Sequence, residues 1–248
     1  MGSLSGDGEV DGDIVLVDDM LLRPDQYLEE GTERDARTPG LVKKKWRWPK
    51  SAVVPFKISK SFTPIQAKRI RETILIKLQK RLGACIVFKE LKLLVPKSRG
   101  FISVEPDKDK KNCNSFVGKK GKKQVMLLAP RCLKKRKLGT IQHEFLHALG
   151  LYHTQMRRDR DKYIIVHKKY IEKGKMGNFR KNPKRKTSNY KLPYDYGSIM
   201  HYNAYAFNGR SGKKTIETMK KKNQDKIGQR ERLSRGDVKL IKKMYKCE

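Results

Sequence analysis

The chain has 248 residues, with 60 Lys and Arg against 26 Asp and Glu, and a formal net charge of +34. That length can bury one good core, in one or two lobes, and the absence of any run of 18 apolar residues excludes a membrane-spanning helix. So strong a positive charge attracts polyanions such as acidic proteins and sulfated glycans, but no nucleic-acid-binding motif accompanies it, so no specific nucleic acid partner is expected.

The charge is unevenly spread. Residues 1–35 hold eleven acidic and two basic side chains, a net −9, and the remainder carries +43. Residues 1–34 therefore read as a separate acidic segment, with one short apolar run at Ile14–Val17. No apolar h-region of a signal peptide is visible in it. Residues 35–50 form a linker that ends in Trp46-Arg47-Trp48-Pro49. Val53–Ile58 has the composition of a first strand. Thr63-Pro64 then predicts a helix start, with Thr63 as N-cap and Pro64 at the first helical position. Ala67, Ile70, Ile74, Leu75, Leu78 and Leu82 recur at helical spacing behind it, and Gly83 is the stop.

Short strands are expected at Cys85–Phe88, Phe101–Val104 and Gln124–Leu128. The last of these, with Gln124, Val125 and Met126, precedes a helix and is expected to offer an open edge to an extended peptide. Ser234-Arg235-Gly236-Asp237 fits a capping box opening a final helix, with Val238, Ile241 and Tyr245 inward. The four cysteines Cys85, Cys113, Cys132 and Cys247 contain no C-x-x-C pair. Spacing leaves all three pairings open, and the even count suits two disulfides in a secreted domain.

The chemistry is concentrated in residues 143–153, which read H-E-F-L-H-A-L-G-L-Y-H. His143 and His147 are four apart and share one helix face. Glu144 is offset, within reach of a water held by a metal but not of the metal. Gly150 lets the chain leave the helix, because glycine tolerates the left-handed conformation, and His153 returns as a third ligand. Three neutral imidazoles leave a fourth zinc position open for water, which is a catalytic arrangement. The eleven-residue pattern is that of the metzincins.

Further residues narrow the class. Ser198-Ile199-Met200-His201-Tyr202 follows at the distance of a Met-turn with its tyrosine. Arg157-x-Asp159-Arg160-Asp161-x-Tyr163 succeeds His153, Cys113-x-Ser115-x-Val117-Gly118 precedes the zinc motif, and Ile227-Gly228-Gln229-Arg230, Leu233-Ser234, Asp237 and Tyr245-x-Cys247 close the chain. With these motifs residues 35–247 resemble the astacin family of zinc endopeptidases.

The resemblance implies an α+β, two-lobed protease with a twisted sheet and the zinc helix in its upper lobe. It implies one zinc per chain on His143, His147 and His153, Glu144 as general base, Met200 as an apolar floor, and Tyr202 as a distant ligand that swings to the oxyanion. The disulfides would be Cys85–Cys247 and Cys113–Cys132, and Gln124–Leu128 the strand that pairs with substrate. Val10-Asp11-Gly12-Asp13 resembles the F-x-G-D motif of astacin propeptides, which would make residues 1–34 a propeptide, 35–248 the catalytic domain, and Asp13 the carboxylate that takes the water's place.

A trypsin-like cut after Arg34 would activate the chain. The glutamate that usually follows the third histidine, and receives the new N-terminus, is Thr154 here. The expected function is that of a secreted endopeptidase acting on extracellular proteins, acidic ones favoured. The rival reading is a catalytically silent, polyanion-binding relative, against which the intact set of His143, Glu144, His147, His153 and Tyr202 argues.

Overall fold

In a computed structural model of the protein, the described residues are 9–11, 14–23, 26, 40–41, 44–49, 53–92, 100–109, 111–182 and 187–247. Helix α1 (Pro64–Glu72) begins as its sequence requires. Thr63 accepts from the Gln66 backbone and Gln66 answers the Thr63 backbone, a reciprocal capping box. The helical run continues through a π-type stretch at Thr73–Leu78 and α2 (Gln79–Leu82), and ends at Gly83 with φ of 62°. Ile70, Ile74, Leu78 and Leu82 are fully or almost fully buried, so the apolar stripe becomes core.

The sheet is built from β1 (Glu9–Asp11), β2 (Ile14–Val17), β3 (Met20–Leu22), β5 (Val53–Ile58), β6 (Val87–Glu90), β7 (Phe101–Pro106), β8 (Cys113–Phe116) and β9 (Lys123–Leu128). Their order across it is β1-β2-β3-β8-β9-β7-β5-β6. β6, β5, β7 and β9 are mutually parallel, and β8 runs antiparallel to β9. Two-stranded pairs add β4 (Gly40–Leu41) with β11 (Thr187–Ser188), and β10 (Ile164–Val166) with β12 (Ile216–Thr218).

This topology corrects one expectation. Gln124, Val125 and Met126 belong to an inner strand of the sheet rather than its edge strand: β9 pairs with β7 along its length, and with β8 through Leu127 and Leu128 on its other side. The edge of the domain's own sheet is β8. It is covered by β3 of the acidic segment, which pairs with it in parallel, Met20 opposite Ser115 and Leu21 opposite Phe116. The hairpin is anchored further by the Ser115 and Val117 amides, which donate to the Asp19 and Leu21 carbonyls at 3.0 Å each. Buried Gln26 donates to the Val117 carbonyl at 3.2 Å.

The zinc helix, α3 (Gly139–Ala148), packs beneath the sheet. Phe145 meets Phe56 of β5 and Phe88 of β6 edge-to-face, with centroids 6.0 and 5.5 Å apart. A smaller buried cluster of Ile164, Phe179, Tyr194, Tyr202, Ile216 and Ile227 forms a second lobe with little regular structure. The last helix, α4 (Arg235–Tyr245), opens on the expected capping box and returns to the main core through Leu240, Ile241, Met244 and Tyr245. Cys85 joins Cys247 and Cys113 joins Cys132. No helix among the described residues is long and apolar enough to cross a membrane.

Candidate active site and metal centre

α3 is held at both ends by groups far away in sequence. At its start a Cβ on Gly139 would lie 2.0 Å from the Arg230 carbonyl oxygen, so only glycine lets that chain segment pass. At its end Trp48 Nε1 donates to the Ala148 carbonyl and the Tyr245 hydroxyl to that of Leu149, both at 2.9 Å. Gly150, with φ of 106°, turns the chain so that the Leu151 amide closes onto the Leu146 carbonyl. The turn delivers His153 to the face that carries His143 and His147.

Two of the three imidazoles, His143 and His147, are oriented by their outer nitrogens. His143 Nδ1 lies 2.8 Å from the Ile199 carbonyl oxygen and His147 Nδ1 2.7 Å from that of Leu151. Donation there fixes the tautomer and leaves each Nε2 with a free lone pair. Yet His143 Nε2 stands 3.1 Å from His147 Nε2 and 3.3 Å from His153 Nε2. Lone pairs so crowded repel unless a cation lies among them. Zinc–nitrogen bonds of ~2.0–2.1 Å in a tetrahedron put ligand nitrogens about 3.3 Å apart, so this nitrogen set fits zinc. Burial, assisted by the Arg230 charge, lowers the His143 pKa to about 3, which keeps this ring neutral and able to ligate.

The fourth group that could ligate a metal here is the Asp19 carboxylate. One oxygen lies 2.9 Å from His153 Nε2 and 3.2 Å from that of His147, with the other oxygen 3.1 Å from His143 Nε2. All four groups fall within 4.8 Å of one another. The place assigned to Asp13 is thus taken by Asp19, and Asp13 itself lies outside the described residues. The reason is the turn. The apolar runs Ile14–Val17 and Met20–Leu22 pair as a hairpin with Val17 opposite Met20, and Asp18 and Asp19 form its tip.

Glu144 is fully buried and neither carboxylate oxygen has a hydrogen-bond partner among the described residues. Burial first, then the Asp19 and Asp18 carboxylates, raise its pKa well above the ordinary range. Tyr202 is buried, with its ring 4.7 Å from that of His153 and its hydroxyl donating to Asp18 at 2.7 Å. Burial first, then Asp18 and Asp19, raise the phenol's pKa far above 10.

Met200 is buried, and its carbonyl accepts from the Thr154 amide at 3.0 Å, which ties the Met-turn to the residue after His153. Asp237 of α4 accepts from the Ile199 amide and the Ser198 hydroxyl, so the last helix fixes the carbonyl that orients His143. Thr154 donates to Ser198 and borders a pocket of about 280 Å³ that Asp195 and Asp237 also line. His201 bonds Tyr194 and the Tyr202 backbone, His167 pairs with Glu217, and neither joins the metal group.

Sequence reasoning missed Asp18, Asp19, Arg230 and the edge strand β8. The signal for the first two was an Asp-Asp pair between two short apolar runs. Arg230 sits beside the site because Gly139 admits its backbone. Its NH1 donates to the His201 carbonyl at 2.9 Å, and its charge acts on Glu144, Asp18 and Asp19.

Fold and site together define a zinc metallopeptidase of the metzincin type. A family model described as Astacin, a peptidase family, matches residues 40–246. The chain is 38% identical over 208 residues to the low choriolytic enzyme of Oryzias latipes, covering 81% of this chain and 69% of that protein. It is 42% identical over 151 residues to zinc metalloproteinase nas-4 of Caenorhabditis elegans, covering 61% of this chain and 45% of that protein. Several of the curated relatives are thus more than twice the length that the chain matches. Among solved structures, high choriolytic enzyme 1, a hatching enzyme zinc-protease from Oryzias latipes, superposes with a TM-score of 0.73 at 31% identity. That match covers 84% of this chain and 100% of that one. The chain belongs to the astacin family of zinc metallopeptidases, whose members use zinc and act on proteins or peptides.

Proposed function

We propose that the chain is the latent form of a secreted zinc endopeptidase, with residues 1–34 as its propeptide and 35–248 as its catalytic domain. The observation that carries this reading is the Asp19 carboxylate against the three Nε2 atoms, beside a buried and unpartnered Glu144. His143, His147 and His153 hold the metal. When bound, zinc polarises a carbonyl oxygen and acidifies water.

Glu144 takes a proton from the attacking water and returns it to the leaving amine. Tyr202 donates its hydroxyl to the developing oxyanion once Asp18 has left. Met200 supplies an apolar floor. The β8 edge pairs with the substrate main chain. In the intact chain Asp19 fills the reacting position and β3 covers that edge, so chemistry and substrate binding are blocked together.

Cleavage after Arg34 by a trypsin-like protease releases the hairpin. Thr154 offers no carboxylate to a new N-terminus, so activation rests on removing Asp19. Acidic extracellular proteins are the favoured substrates, supported by the +43 charge of residues 36–248 and by Arg230 beside Glu144. The same charge supports contact with sulfated glycans. The disulfides support an oxidising, extracellular setting.

Peptide hydrolysis before and after limited trypsin treatment tests the reading. Activity should appear on cleavage, vanish with chelator and return with zinc. A cleaved, zinc-loaded chain that binds heparin but hydrolyses no peptide would favour the silent polyanion-binding alternative.

A further inference from the structure

Metal occupancy explains Asp19 but leaves the residue before it unexplained. Asp18 opens the two-residue turn between β2 and β3 with φ of 55°, in the left-handed region. Aspartate enters that region more readily than most residues, yet glycine does so with less strain. A strained residue at a functional site asks what its side chain does there. The residue as a whole is exposed, but its carboxylate accepts the hydroxyl of buried Tyr202 at 2.7 Å. Tyr202 is in turn wedged between the rings of His153 at 4.7 Å and Phe207 at 5.6 Å.

We propose that the hairpin tip is a two-pronged clasp, in which Asp19 takes the metal-facing position while Asp18 captures the phenol of Tyr202. This rests on the latency reading above and adds a second lock to it. The group that would donate to the oxyanion is already donating to the propeptide. The turn accepts an unfavourable residue because a charge-assisted hydrogen bond to a buried phenol outweighs the strain. Both prongs stand on adjacent residues of one turn, so they engage and release together.

The test is amide hydrogen exchange of residues 14–23 in the full-length, zinc-loaded chain. Asp18→Gly relaxes the turn but removes the prong. It should speed exchange about fivefold, whereas relaxation alone would slow it. Tyr202→Phe leaves the turn intact and removes only the donor, and should speed exchange about tenfold. Asp18→Asn keeps a neutral acceptor and tolerates the turn, and its exchange should fall between those of wild type and Asp18→Gly. In a Tyr202→Phe background Asp18→Gly should slow exchange, because only the strain remains to be relieved.

Unchanged or slower exchange in Asp18→Gly alone overturns the clasp. Peptide hydrolysis by the same intact samples separates the two readings. Full activity of intact wild type overturns latency and the clasp with it. A silent intact chain whose exchange ignores Asp18→Gly overturns the clasp alone.

Discussion

A carboxylate with no exposure and no hydrogen bond is costly, and Glu144 is one. Its neighbours in the intact chain are the Asp18 and Asp19 carboxylates, which along with burial hold its pKa high. On the proposed release of the hairpin, those two charges would leave with it. Arg230 would remain, and its charge lowers the pKa of Glu144, the direction a proton acceptor needs. Glu144→Gln preserves shape and burial but cannot accept that proton. In the cleaved enzyme it should keep zinc, read by metal analysis, while kcat falls by about 10³-fold or more. Peptidase activity near wild type in that variant would remove Glu144 from its role.

At the level of elements, most of what could be read locally was read. The H-E-x-x-H helix, its glycine stop, the Thr63 and Ser234 caps and the apolar stripe of α1 and α2 each depend on residues within a few positions of one another. The misses, apart from the Asp18-Asp19 turn, are non-local. β8 becomes the edge only through its register with β9, and its cover, β3, comes from about a hundred residues upstream. The resemblance of Val10-Asp11-Gly12-Asp13 to the F-x-G-D motif drew the latch to Asp13. The turn that reaches the metal group is instead the one with Asp18 in the left-handed conformation. Arg230 arrives through a close backbone approach that no pattern in its own neighbourhood announces.

Asp237 shows how one element steers another, since it both caps α4 and holds the Met-turn. Burial first, then Asp195, lifts its pKa from 3.8 to about 6. Between those values the folded chain keeps a proton that the unfolded chain has lost. This contribution to stability is therefore complete below pH 3.8 and gone above about pH 6, about 3 kcal/mol in all. Stability measured by urea unfolding from pH 3.5 to 7 should fall less steeply with rising pH in Asp237→Asn than in wild type. Parallel curves would contradict the assignment.

Over the whole molecule, two observations bear on regulation. The Cys85–Cys247 disulfide joins the end of the first helical run to the C-terminus across 162 residues, which fastens α4, and through it the Met-turn, to the upper lobe. The charge division, −9 against +43, pulls the acidic segment onto the domain in the intact chain. On the proposed reading, the same field acts on substrate after cleavage. Raising salt from about 50 to 500 mM shortens the Debye length to a few ångströms. It should lower kcat/KM for an acidic peptide several-fold while leaving a neutral one within about twofold. Equal salt dependence for both would show that the charge does not steer substrate.

The central claim is that Asp19 keeps a competent zinc endopeptidase silent. It is tested most directly by peptide hydrolysis in the intact, uncleaved chain, wild type beside Asp19→Ala. Wild type should be silent, and Asp19→Ala should hydrolyse peptide without any cut at Arg34, with all of that activity lost to chelator. An active wild type, or an Asp19→Ala chain that binds zinc and stays silent until trypsin is added, would contradict the account.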